Sequence, residues 1–200
     1  FKYCYDYMNS DDIYDNMNHL VIGQFTKLLL KHDINPLDYM EEIPDYFLDG
    51  SDIESFVIPN NIKRIEDFAF SSCKNLESIQ IPSSVKEIGQ NVFWDCISLE
   101  SIEIPNSLTS IGYGIACGCI SLKSITIPSS ITVLDYEAFR HCSSLKSIKI
   151  PNSVTSIEAC VFEGCTGLTS IEIPSSVKEI GYDAFLDCKC TITYDGTKKQ

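Results

Sequence analysis

Hydrophobic residues recur along most of this chain in one fixed order and at one spacing. A typical unit has three apolar positions, a proline, two further apolar positions, an apolar–Phe pair and a cysteine, as in LESIQIPSSVKEIGQNVFWDC at residues 76–96. The alternation of apolar and polar residues before the proline predicts a strand. Proline lacks an N–H and disfavours helix in the residue before it, so the strand ends there. The pattern predicts one short strand per unit, with Leu76, Ile79 and Ile81 facing inward.

The unit repeats every 23 residues without a change of register. Six prolines mark it, Pro59, Pro82, Pro105, Pro128, Pro151 and Pro174. A unit this short buries its apolar face only against its neighbours, and the spacing matches a leucine-rich repeat. We therefore predict a leucine-rich-repeat solenoid over residues 43–194, with parallel strands stacked about 4.8 Å apart. Phe47 lies 23 residues ahead of Phe70, which places the first, incomplete coil near residue 43.

The segments outside the repeats have a different character. Residues 1–42 are predicted to form an acidic extension and a helical cap, because apolar residues between Asn16 and His32 follow helical spacing and Pro36 would end the helix. Residues 195–200 are predicted to be a polar tail. The final coil, ending at Tyr194, is expected to offer an exposed strand edge, so the chain is predicted to be a monomer or a weak homodimer.

The repeats closely resemble the BspA-like leucine-rich repeats, whose pattern is LxSIxIPxSVxxIGxxAFxxC. The resemblance covers residues 43–190. It implies a right-handed coil and a non-enzymatic, adhesin-like scaffold that binds another protein at a cell surface or after secretion. The family motif contains no catalytic residue and no cofactor site, so none is expected here. The first fifteen residues lack the basic and apolar segments of a signal peptide, and a chain with no signal upstream of them would be cytoplasmic.

Six of the ten cysteines occupy one position in successive units (Cys73, Cys96, Cys119, Cys142, Cys165 and Cys188). A reduced cysteine packs as a small apolar residue, so this column is predicted to fill the core; a disulfide framework, a metal site and a reactive thiol remain weaker alternatives. Cys4 and Cys160 fall outside the column and are predicted to be exposed. Within the column of phenylalanines, Ala116 replaces Phe, and Ile115, Cys117 or Tyr113 is expected to fill part of the space.

Two columns that vary between units are predicted to face solvent and to bind a partner. One column lies on the predicted strands and includes Glu103 and Lys149. The serines next to it, such as Ser78, are expected to satisfy local polar groups. The other lies near the Phe and Cys columns, and its candidates are Trp94, Tyr113, Tyr136, Arg140 and Tyr182. Tyr, Trp and Arg are the residues that most often anchor protein interfaces. We expect Tyr113 and Tyr136 to form an aromatic ridge.

Net charge narrows the partners and adds a second hypothesis. A formal charge of −13 argues against nucleic acid as a partner, because phosphate binding depends on Lys and Arg. No apolar run is long enough to be a membrane span. The first fifteen residues combine aromatic and acidic side chains, which suits an intracellular acidic inhibitor, of a phage or parasite type, that masks a basic site on a target protein. Its candidate contacts are Tyr3, Tyr5, Asp6, Tyr7, Asp11 and Asp12.

Overall fold

The computed structural model describes residue 37, residues 40–194 and residues 197–198. Within them the chain forms a parallel β-solenoid of about seven coils, as the 23-residue period predicts. The predicted helical cap and the acidic front segment lie outside the described residues. The described first coil begins with β1 (Glu42–Ile43).

The strand that precedes each proline builds one side of the solenoid. Ser78 pairs with Ser101 and Ser101 with Ser124, so the parallel register follows the repeat. Four strands form a continuous sheet, β2 (Ser55–Val57), β4 (Ser78–Gln80), β6 (Ser101–Glu103) and β7 (Ser124–Thr126). The side continues through a bridge between Thr126 and Lys149 to β10 (Ser170–Ile173). We call this the strand side. It contains the predicted short strand in every repeat except residues 145–167, where Lys149 alone forms a bridge.

The structure adds a second strand of two residues to most coils. It ends on the second of the two apolar positions that follow the proline, so one of its residues can enter the core. These strands are Arg64–Ile65 (β3), Glu87–Ile88 (β5), Val133–Leu134 (β8), Ser156–Ile157 (β9) and Glu179–Ile180 (β11). With β1 they form two parallel three-stranded sheets, β1–β3–β5 and β8–β9–β11. The coil that contains Gly112 and Gly114 has no strand at this position.

A turn of seven residues closes each coil, and we call these segments together the turn side (residues 66–72, 89–95, 112–118, 135–141, 158–164 and 181–187). Alternate N–H groups donate to the next coil, as from Phe139 to the Val161 carbonyl at 3.0 Å. Two residues per turn, four apart, have left-handed backbone, for example Glu137 at φ 55° and His141 at φ 61°. A non-glycine residue there costs about 1 kcal/mol or more, which the ladder between coils must offset.

The core between these sides consists of columns of identical residues. Phe139 and Phe162 stack with ring centroids 5.8 Å apart. The column cysteines are reduced, and the thiol of Cys142 donates to the Ala116 carbonyl one coil earlier at 3.2 Å. All six column thiols bond in this way, at 2.8–3.2 Å, to Leu48, Phe70, Phe93, Ala116, Phe139 and Phe162. The cysteine therefore satisfies a buried carbonyl as well as filling space.

Both ends of the solenoid depart from the 23-residue register. Ile43 pairs with Ile65, 22 residues later, so Leu48 rather than Phe47 is equivalent to Phe70. At the other end β12 (Thr191–Tyr194) pairs with β10, and β13 (Thr197–Lys198) pairs antiparallel with β12. Part of the predicted polar tail is thus a strand. It occupies the edge of β12 that was expected to be exposed.

Candidate binding surface

The candidate residues divide between the two sides of the solenoid. Glu103 and Lys149 lie on the strand side, and the residues of the second column lie on the turn side. The sequence analysis proposed both columns as binding positions. In the unit that begins at Leu99, Glu103 is the fifth residue and Tyr113 the fifteenth, and these two positions lie on different sides of the coil. The structure therefore provides two separate surfaces.

The strand side is exposed, polar and mixed in charge. Val57 is 82% exposed, and the outward column continues through residues of both charges. A shallow groove of about 400 Å³ crosses β4, β6 and β7. The serine column faces solvent, and none of these hydroxyls hydrogen-bonds to any residue that the structure describes (Ser55, Ser78, Ser101, Ser124, Ser147 and Ser170). The prediction that they satisfy local polar groups is therefore wrong.

The turn side contains the aromatic ridge. Tyr113 and Tyr136 stack with centroids 5.3 Å apart and planes 21° apart, so the two predicted residues are brought together. The Tyr113 hydroxyl donates to Glu137 Oε2 at 2.8 Å. Burial, followed by this bond to a carboxylate, raises the pKa of Tyr113 to about 12. The hydroxyl therefore remains a donor at neutral pH and holds the ring in place.

Tyr182 joins the ridge from two coils away. Ala159 occupies the tyrosine position of the intervening coil, and the hydroxyls of Tyr136 and Tyr182 approach to 3.4 Å across it. Ala159 and Cys160 beneath them are each only 6% exposed. The prediction that Cys160 is an exposed thiol is wrong, because its side chain is buried and contacts Tyr136 of the preceding coil. Tyr182 itself is 68% exposed.

Arg140 is held by two carboxylates rather than presented to solvent as a free cation. Its Nη1 donates to Glu137 at 2.9 Å and its Nη2 to Glu163 at 2.8 Å, on the next coil. The bond to Glu163 raises the pKa of Arg140 and lowers that of Glu163. Two bonds in different directions fix the guanidinium, so Arg140 braces the ridge and its charge is compensated.

Exposed apolar side chains lie on the turn side and in the segment that follows it in each coil. Trp94 is 39% exposed, and Ile97 and Ile120 are 36% and 45% exposed. Sequence reasoning missed these two isoleucines, as well as Glu137 and Glu163. The signal for the isoleucines was present, because their column reads Lys, Ile, Ile, Ser, Thr, Lys and two apolar residues in a polar column mark a patch.

The cysteines of this surface are not activated as nucleophiles, and its described residues do not form a metal site. Burial raises the pKa of Cys117 to about 11, and burial also raises that of Cys160, so both thiols stay protonated at neutral pH. Among the residues that the structure describes, no three His, Cys, Asp or Glu side chains are grouped so that they could hold a metal ion. The described part of the chain also contains no helix with the length and apolar character needed to cross a membrane.

The family model described as "BspA type Leucine rich repeat region" matches residues 41–158 and 132–195, with six copies.

Three solved bacterial structures are similar. A leucine-rich repeat protein from Bacteroides ovatus is 29% identical (TM-score 0.68, 75% of this chain and 39% of that one), and one from T. pallidum is 28% identical (0.68, 74% and 69%). A leucine rich cell surface protein from Faecalibacterium prausnitzii is 26% identical (0.50, 80% and 59%). No curated protein is significantly similar in sequence. This chain thus spans about two fifths of the B. ovatus protein.

Proposed function

Because the chain belongs to the BspA type leucine-rich repeat family, we propose that it is a non-enzymatic, adhesin-like scaffold whose protein partner binds the turn side. The preorganised aromatic ridge carries this proposal. Tyr113, Tyr136 and Tyr182 span four coils and are linked by a ring stack and a hydroxyl contact. Residues fixed before binding lose little side-chain entropy on association, and exposed Tyr and Trp are the usual hot spots of interfaces.

Two further observations support this choice of side. The turn side also exposes the apolar side chains of Trp94 and Leu186, whereas the outward column of the strand side is mostly polar. The similar F. prausnitzii protein is a cell surface protein, which supports a setting in which the partner is a protein outside the cell.

A photo-crosslinking comparison tests the side of binding. A benzophenone amino acid is placed at position 182 on the turn side and, as a matched control, at position 57, which is also highly exposed but lies on the strand side. Each labelled chain is then mixed with cell-surface proteins and irradiated. We expect adducts from Tyr182 and none from Val57. Adducts from Val57 alone would move the binding site to the strand side.

Substitutions then measure the contribution of each side to affinity for the captured protein. Trp94→Ala and Tyr136→Ala are each expected to weaken binding by about thirtyfold, the effect of losing a 2 kcal/mol hot spot. Glu103→Ala and Lys149→Ala on the strand side should change it by less than about twofold. Equal losses on the two sides would contradict the proposal.

The acidic inhibitor is the second candidate and predicts a different contact. It places binding in residues 1–15, which lie outside the described residues, and the net charge of −13 favours it. Deleting residues 1–15 separates the two functions. The scaffold should keep its affinity for the captured protein, whereas the inhibitor should lose it.

A further inference from the structure

Charge is divided unevenly between the two sides of the solenoid. In the six complete coils, the turn side holds nine carboxylates and one arginine, a balance of −8. The remaining residues of the same coils hold seven carboxylates and nine Lys or Arg, a balance of +2. The turn side contains no lysine at all. Charges exposed to solvent are screened over about 8 Å at physiological salt, so a partner on the turn side meets mainly the negative charge.

Three of these carboxylates adjoin the tyrosines. Asp135 precedes Tyr136, Glu158 precedes the Ala159 gap, and Asp183 follows Tyr182. None of the three carboxylates forms an ion pair with any residue that the structure describes, because the cations in its ion pairs are Arg64, Lys123 and Arg140. The only turn-side cation is already bound to Glu137 and Glu163. The Ser110 hydroxyl donates to Asp135 at 3.1 Å and the Ser156 hydroxyl to Glu158 at 2.6 Å, but no cation among the described residues compensates the negative charge of the three carboxylates.

The combination of exposed aromatic rings and uncompensated carboxylates selects the partner by charge. A Lys or Arg side chain is attracted to the face of Tyr or Trp and forms charge-assisted hydrogen bonds with Asp and Glu. A neutral or acidic partner that covered the ridge would instead remove these carboxylates from water without compensation, and like charges brought together cost several kcal/mol.

We infer that the partner of the turn side is a cationic protein segment, rich in Lys and Arg, that lies along the ridge of Tyr113, Tyr136 and Tyr182. The inference rests on the proposed function, because it names the chemistry of the partner for the same surface. The aromatic rings provide the contact area, and the unpaired carboxylates give the charge preference. The acidic front segment is not required for it.

The test uses a fluorescein-labelled, unstructured peptide in which lysine and arginine alternate with glycine and serine, titrated with the full chain while anisotropy is recorded. Two triple variants remove the same charge from different sides, and thermal unfolding by circular dichroism confirms that both fold. The turn-side triple is Asp135→Asn, Glu158→Gln and Asp183→Asn. The strand-side triple is Glu54→Gln, Glu77→Gln and Glu172→Gln.

We expect the turn-side triple to weaken peptide binding by about tenfold or more, as the loss of three modest ion pairs implies, and the strand-side triple by less than about twofold. Asp183→Asn alone should show a smaller loss in the same direction. Equal losses in the two triples, or no binding of the peptide to the wild-type chain, would overturn the inference. If the captured protein nevertheless loses affinity for the Trp94→Ala and Tyr136→Ala variants, the proposed function stands, and its partner is not cationic.

Discussion

Raising the pH from 7 to 10 should destabilise the reduced protein sharply, because its core contains thiols that cannot ionise while it is folded. Burial raises the pKa of Cys119 and Cys142 far above the ordinary value. Hydrogen bonding with the neighbouring column cysteine, together with burial, raises that of Cys96 and Cys165. All four residues are fully buried, so water does not reach their thiols.

The sign and the magnitude follow from the difference between the two states. In the unfolded chain these thiols ionise near their ordinary pKa of 9.0, whereas in the folded chain they remain protonated. A raised folded pKa contributes stability that is intact below the unfolded pKa and is lost as pH rises above it. At pH 10 each thiol should cost about 1.4 kcal/mol. The hydrogen bond with Cys165 lowers the pKa of Cys188, which offsets the contribution of Cys165. Cys96, Cys119 and Cys142 together should therefore cost about 4 kcal/mol, a large part of the stability of a typical domain.

Urea denaturation followed by circular dichroism, under reducing conditions and at steps between pH 7 and pH 10, measures this loss. Cys142→Ala should reduce the fall in unfolding free energy by about 1.4 kcal/mol, since one titrating thiol is gone. Ile131→Val, at another fully buried position, is the control, because it lowers stability without removing a thiol and should leave the pH dependence unchanged. A wild-type stability at pH 10 within about 1 kcal/mol of that at pH 7 would refute the reasoning.

Two further predictions concern single coils. Tyr182→Ala should expose Cys160, so that Ellman's reagent modifies one additional thiol in the folded protein; unchanged labelling, compared with a Cys160→Ser background, would show that Tyr182 is not the cover. Ala116→Phe should destabilise the chain by about 1–3 kcal/mol in chemical denaturation, because Ile115 is already fully buried beside it, and adding Ile115→Ala should recover part of the loss. A stabilised single variant would instead indicate an unfilled cavity.

The coil period and the core columns could be predicted from sequence because each depends on a residue type repeated at one spacing. The left-handed turn residues could not. Glu137 and Cys160 adopt positive φ without being glycine, and the conformation is imposed by the hydrogen-bond ladder to the next coil rather than by local preference. The second strand was missed for a related reason, since two residues give too short an alternation to distinguish a strand from a loop.

Within the candidate site, contacts between adjacent coils could be predicted and contacts across two coils could not. Tyr113 and Tyr136 share a column position on neighbouring coils, so their stacking follows from the register. The approach of Tyr182 to Tyr136 depends on side-chain length and on the small residue at position 159, which periodicity does not encode. Arg140 and Glu163 are one repeat apart, so the 23-residue register alone could predict their ion pair between adjacent coils.

Charge in a solenoid has to be counted by position within the repeat, because each position lies along one line on one side of the molecule. Counted along the chain, the first 50 residues have ten carboxylates and three Lys or Arg, which indicates an acidic front segment. Counted by position, the turn side is more acidic per residue, with a balance of −8 over 42 residues against −7 over those 50, and it also contains the rings that a cation would contact. The excess of negative charge on that side coexists with a slight positive balance elsewhere in the same coils. A basic partner is therefore directed to one side by the distribution of charge, which the net value of −13 alone does not reveal.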